Sequence, residues 1–183
     1  MSEDADLGWT RPAPLPSRLF SEFLGTMLLV ATVVGSGIMA QSLSAGATGL
    51  QLLENAIATG GVLLVLIATL GPVSGAHFNP VVTLVDAWFG GIAARDTVPY
   101  VAVQVVGACA GAVLANLMFG LNAVSISTHD RSGGALWLSE VVATFGLLLL
   151  ILGLVRGGRS EWIAPSVAAY IVGAYWFTAS TSF

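Results

Sequence analysis

Apolar residues run along this chain in long unbroken blocks, without the polar stripe of a surface helix or the alternation of a half-buried strand. Five blocks, at about 19–41, 52–71, 97–120, 135–155 and 162–179, carry almost no charge. Each approaches the roughly 20 residues that a helix needs to cross a ~30 Å hydrocarbon layer. The polar or glycine-rich connections at 42–51, 90–96, 121–134 and 156–161 are short, so consecutive helices must pack as neighbours. Gly107 and Gly111 in VVGACAGAV form a GxxxG face that lets two helices approach closely. A sixth helical stretch, 80–89, would extend only about 15 Å, half a membrane. The pattern predicts an all-α membrane protein with five full spans and one re-entrant half-helix.

The half-helix follows an unusual interruption. Residues 71–84 read GPVSGAHFNPVVTL, placing Gly71, Pro72, Gly75 and Pro80 directly behind an uncharged helical run. Helix-breaking backbone inside lipid leaves amides and carbonyls without water, and is tolerated only where protein or a water-filled cavity takes them up. The break therefore marks a place where the chain serves something other than its own packing.

Composition agrees with the block pattern and narrows the function. Hydrophobic residues make up 56% and charged residues 9%, too few charges to coat a soluble domain. All six basic residues are arginines, and much of the net charge of −4 comes from Glu3, Asp4 and Asp6, so nothing points to nucleic acid. Residues 1–18, acidic and then proline-rich, read as a disordered cytoplasmic leader. Cys109, the single cysteine, lies in an apolar run and reads as a buried, inert thiol. No metal or cofactor motif is present in the sequence.

Arginine placement orients the chain. With the N-terminus in the cytoplasm and 71–89 dipping in and out on one side, Arg11, Arg18, Arg95, Arg156 and Arg159 are cytoplasmic and Arg131 is outside. The chain also repeats itself: SEFLGT (21–26) opens the first span and SEVVAT (139–144) the fourth. Three spans apart, the copies enter from opposite faces, which describes an inverted repeat with a site at the midplane. The organisation expected is a leader at 1–18, a first repeat over 19–96 completed by a span at 97–120, an outer loop at 121–134, and an incomplete second repeat at 135–183.

Asn79 and Pro80 supply the chemistry. Asparagine is a favoured N-cap and proline suits the first helical position, so the half-helix starts at Pro80 in mid-membrane. That end carries roughly half a positive charge, which repels cations, while the Asn79 amide can donate to a neutral oxygen. A dipole with a donor at its tip selects uncharged polar solutes over ions and protons.

SGAHFNPVVTL, the acid in the first turn of spans one and four, and the inverted repeat together resemble the aquaporin and aquaglyceroporin, or major intrinsic protein, family. The resemblance covers the chain from about residue 18 onward. It implies an inverted-repeat bundle, a passive channel for water and small neutral solutes such as glycerol-like polyols or undissociated metalloid acids, and a homotetramer in a lipid membrane. It implies that Asn79, Pro80 and Val81 are the first pore motif, with valine where the family usually has alanine. His77 and Gly75 would line the pore, and Glu22 and Glu140 would accept N–H bonds from the re-entrant loops. The outer selectivity filter would contain Thr59, Gly173 and Ser182, all small, and so admit solutes larger than water. The second motif, its half-helix and a sixth span would lie beyond Phe183, so the sequence reads as part of a channel of roughly 230 residues by this resemblance.

Two other classes compete. Ser74 and His77 near a broken helix could suggest an intramembrane serine protease, but PVSG lacks the leading glycine of a GxSG motif, and His129 lies in the predicted outer loop. A secondary transporter also uses broken helices and inverted repeats, but usually needs charges deep in the membrane. Residues 55–85 and 97–120 contain none.

Overall fold

A computed structural model describes residues 13–127 and 132–178. Among them are six α-helices and one 3-10 turn, with no strand. The helices are α1 (Leu15–Leu43), α2 (Thr48–Ser74), α3 (Pro80–Trp88), α4 (Ala94–Met118), α5 (Gly134–Arg156) and α6 (Ile163–Phe177). α1, α2, α4 and α5 are long and apolar enough to cross a membrane. α6 has 15 residues and follows directly on the turn at Ser160–Trp162.

α1 packs against α2 and α4, α6 against α2 and α5, and the short α3 against α4. The buried apolar core contains Ala56, Leu63 and Leu66 of α2, Phe78, Leu147 of α5, and Val167 and Ile171 of α6. α1 and α4 meet almost backbone to backbone. A Cβ on Gly107 would stand 2.6 Å from the Phe23 carbonyl oxygen, and one on Gly111 would collide with the Met27 carbonyl. These glycines are therefore the contact face between two membrane helices.

Several boundaries differ from those the sequence predicts, each for a local reason. α1 begins at Leu15, inside the expected leader, because Pro16 is accommodated in the first helical turn. Residues 1–12 lie outside the described residues. α2 does not break at Gly71–Pro72; it carries Pro72 inside its last turn and ends at Ser74. The stop is Gly75, left-handed at φ 92°, where only glycine is free of a Cβ penalty. Cys109 is exposed on α4, not buried: it sits two positions past Gly107, on the side of the helix turned away from α1.

The arginines gather at one end of the bundle. Arg18 at the start of α1 pairs with Asp96 at the start of α4, at 3.1 Å. Arg156 at the end of α5 lies over the Phe89 ring just past α3, 4.9 Å from its centroid. Arg131 and His129 are outside the described residues.

Candidate functional site: the re-entrant turn and its cavity

Between α2 and α3 the backbone reverses over five residues, Gly75 to Asn79. Ala76 (φ 51°) and Phe78 (φ 47°) are both left-handed, a conformation that costs a non-glycine residue roughly 1–2 kcal/mol. Strain of that size persists only where the surroundings fix it.

Glu22 on α1 supplies most of the fixing. Its fully buried carboxylate accepts from four donors. Oε1 takes the Ser74 hydroxyl at 2.6 Å and the His77 N–H at 3.0 Å. Oε2 takes the Phe78 N–H at 2.8 Å and the Gln104 amide at 2.9 Å. The Ser74 hydroxyl oxygen in turn accepts the Ala76 N–H at 3.1 Å. The Phe78 ring occupies the space left open by Gly25, where any Cβ would collide with it. SEFLGT thus contributes an acceptor for the turn and, one helical turn later, a slot for its aromatic ring.

Around this centre a second set of contacts holds the end of α2 and the start of α3. The Tyr100 hydroxyl donates to the Ser74 carbonyl at 3.0 Å and accepts from Arg18 Nε at 2.8 Å. Gln104 donates to Thr83 Oγ1 at 2.9 Å, and Thr83 donates to the Asn79 carbonyl at 3.1 Å. His77 lies with Nδ1 3.1 Å from Thr83 Oγ1 and Nε2 3.5 Å from an Asp86 oxygen. Ser74, Thr83, Tyr100 and Gln104 were not singled out by the channel reading of the sequence. Gln104 had a signal, as an amide in the middle of an apolar helix whose other amide, Asn116, lies near its end; the pairing of Thr83 with it did not.

Asn79 caps α3 as its sequence predicts. Its Oδ1 accepts the Val81 N–H at 2.8 Å. Its amide nitrogen has no partner among the described residues, and the residue borders a cavity of about 1360 Å³. The cavity runs from Thr59 and Leu63 past Asn79 and His77 to Arg18, Asp86, Asp96 and Glu161, with Leu147, Ile151, Val167 and Ile171 on the opposite wall. One end is therefore apolar and the other charged, with the tip of a half-helix between them.

The remaining candidates are less convergent. Gly75 borders the same cavity, whereas Pro80 and Val81 border a second recess of about 730 Å³ with Glu140, Thr144 and Gln104. Glu140 makes no hydrogen bond among the described residues. Thr59 is buried at 2% exposure, with its hydroxyl 3.2 Å from the Tyr175 hydroxyl on α6. Gly173 on α6 is exposed, with open space where a side chain would stand, and does not border this cavity. Two residues from the cavity-lining Ile171, it is more than half a helical turn away. Ser182 lies outside the described residues. Among the described residues, the expected filter ring is thus represented on this cavity by Thr59 alone.

A half-helix N-cap facing a cavity, strapped to α1 by a buried acid, is the geometry expected from the resemblance. The sequence profile of the Major intrinsic protein family matches residues 11–181. The chain belongs to that family. It is 54% identical over 169 residues to "Aquaglyceroporin AqpS" of Rhizobium meliloti (strain 1021), covering 92% of the chain and 72% of that protein. "Aquaporin Z" of Brucella melitensis is 34% identical over 161 residues, covering 81% of the chain and 70% of the relative. "Aquaporin NIP1-1" of Arabidopsis thaliana is 33% identical over 156 residues, covering 80% of the chain but only 52% of the relative. Membership places this multi-pass membrane protein among channels for water and small solutes and disposes of the protease reading of Ser74, whose hydroxyl is committed to Glu22.

Proposed function

We propose that the protein is a passive channel for water and small neutral solutes of the glycerol or undissociated metalloid-acid kind, and that it excludes ions and protons at the Asn79 tip. The observation that carries this reading is the division of labour within Asn79. Its side-chain Oδ1 is spent on the Val81 N–H, which leaves the side-chain amide nitrogen as a donor at a cavity-facing helix N-terminus. A passing hydroxyl can accept from that amide, while a cation meets the positive end of α3. The apolar wall of Leu147, Ile151, Val167 and Ile171 opposite offers the carbon side of a polyol a surface it does not have to leave water-bonded.

Thr59 forms the narrowing at the far end of this reading. In liposomes containing the full chain, Thr59→Phe reduces glycerol flux more than water flux, followed as shrinkage and reswelling by stopped-flow light scattering. Equal losses, or none, remove Thr59 from the constriction. A homotetramer with one pore per subunit belongs to the same reading, as do Glu140 as the acid of the second repeat and a cytoplasmic N-terminus. The clustering of Arg18, Arg95, Arg156 and Arg159 at one end supports that orientation. Ser127→Cys in a Cys109→Ala background is labelled from outside intact cells by an impermeant thiol reagent; labelling only after permeabilisation reverses the topology.

A further inference from the structure

We infer that Tyr175 is a positioning residue for solute selectivity, acting through Thr59. The inference rests on the proposed constriction and names the part of it that sets its polarity. Thr59 on α2 and Tyr175 on α6 are both buried, at 2% and 5% exposure, and their hydroxyls lie 3.2 Å apart. The two helices meet closely beside this pair: a Cβ on Gly60 would stand 3.3 Å from the Ala168 carbonyl oxygen. Thr59 borders the large cavity, and Tyr175 is not among the residues that line it.

Threonine carries a hydroxyl and a methyl on one carbon, and a fixed χ1 decides which of them a cavity meets. With the hydroxyl held across the seam by Tyr175, the face of Thr59 left for the lumen is its methyl. The neighbouring wall of Leu63, Val167 and Ile171 is apolar too, so the pair completes a smooth apolar side at this end. Such a side favours a solute that carries carbon, because a polyol can turn its CH face to the wall while keeping its hydroxyls bonded elsewhere. Releasing the Thr59 hydroxyl would let it rotate into the lumen, where it holds water and opposes the CH face.

Glycerol is the probe, and the readout is the ratio of glycerol to water permeability in the same liposomes of full chain. That ratio does not depend on how much protein folds or inserts. Tyr175→Phe lowers the ratio about threefold, in keeping with the size of one net hydrogen bond. Thr59→Val, which offers methyls whatever its rotamer, keeps the native ratio or raises it, and Tyr175→Phe added to Thr59→Val lowers the ratio by less than Tyr175→Phe alone. A native ratio in Tyr175→Phe overturns the proposal. So does a drop of the same size in the Thr59→Val background, which would mean that Tyr175 acts through another contact. Thr59→Phe alongside separates this failure from failure of the constriction: if it spares glycerol flux, the constriction itself is wrong and the inference falls with it.

Discussion

The two copies of the Ser-Glu-x-x-small-Thr segment have the same chemistry and very different surroundings. In the first, Glu22 is fully buried and receives four hydrogen bonds, two of them from the backbone of the re-entrant turn. In the second, Glu140 is half-buried at the side of a recess and receives none among the described residues. The small residue differs as well. Gly25 makes room for the Phe78 ring, while Ala143 presents its carbonyl to the Tyr170 hydroxyl at 2.9 Å. A buried carboxylate is stable only when donors replace its lost water, so the same acid is a structural keystone in one place and a bystander in the other.

Substituting the two acids identically exploits that difference and should give the largest effect. In Glu22→Gln the amide nitrogen must face two donors in either orientation: Ser74 and His77, or Phe78 and Gln104. Two bonds vanish and donor opposes donor, which should cost about 3 kcal/mol or more. Glu140→Gln in the same 183-residue chain should change stability by less than about 1 kcal/mol, since nothing described donates to it. Thermal unfolding of the detergent-solubilised variants measures both. Parity between them would mean that Glu140 finds donors outside the described residues.

How much of this was readable beforehand follows the same division between what lies along the chain and what meets across it. The half-helix was legible to within a residue, because Asn79 and Pro80 act on their own neighbours through the cap and the first turn. A close helix contact on α4 was legible from Gly107 and Gly111, since four-residue spacing stacks them on one face, but its partner α1 was not. Pro72 was misjudged as a stop because proline removes only one helical bond, and so near the helix end its ring disturbs little beyond it. Cys109 was misplaced because an apolar sequence does not distinguish a side facing protein from a side facing lipid. Thr83, Tyr100 and Gln104 depend on contacts between segments far apart in the chain, which no motif encodes.

The smaller test compares two glycines rather than two acids. Gly107 lies against backbone: its added Cβ would meet the Phe23 carbonyl oxygen at 2.6 Å and could not be relieved by a side-chain rotation. α1 would have to move away from α4, and Glu22, one residue before Phe23, would move with it. Gly107→Ala should therefore cost about 1–3 kcal/mol, the usual range for overpacking a well-filled contact. Gly173 has open space beside it, so Gly173→Ala pays no such penalty and gains up to about 1 kcal/mol from helix propensity. Opposite signs in the unfolding midpoints are the expected result. A stabilising Gly107→Ala would show that the helices tolerate a wider seam and that the close approach is not what holds Glu22 over the turn. A destabilising Gly173→Ala would place another surface against α6 at that position.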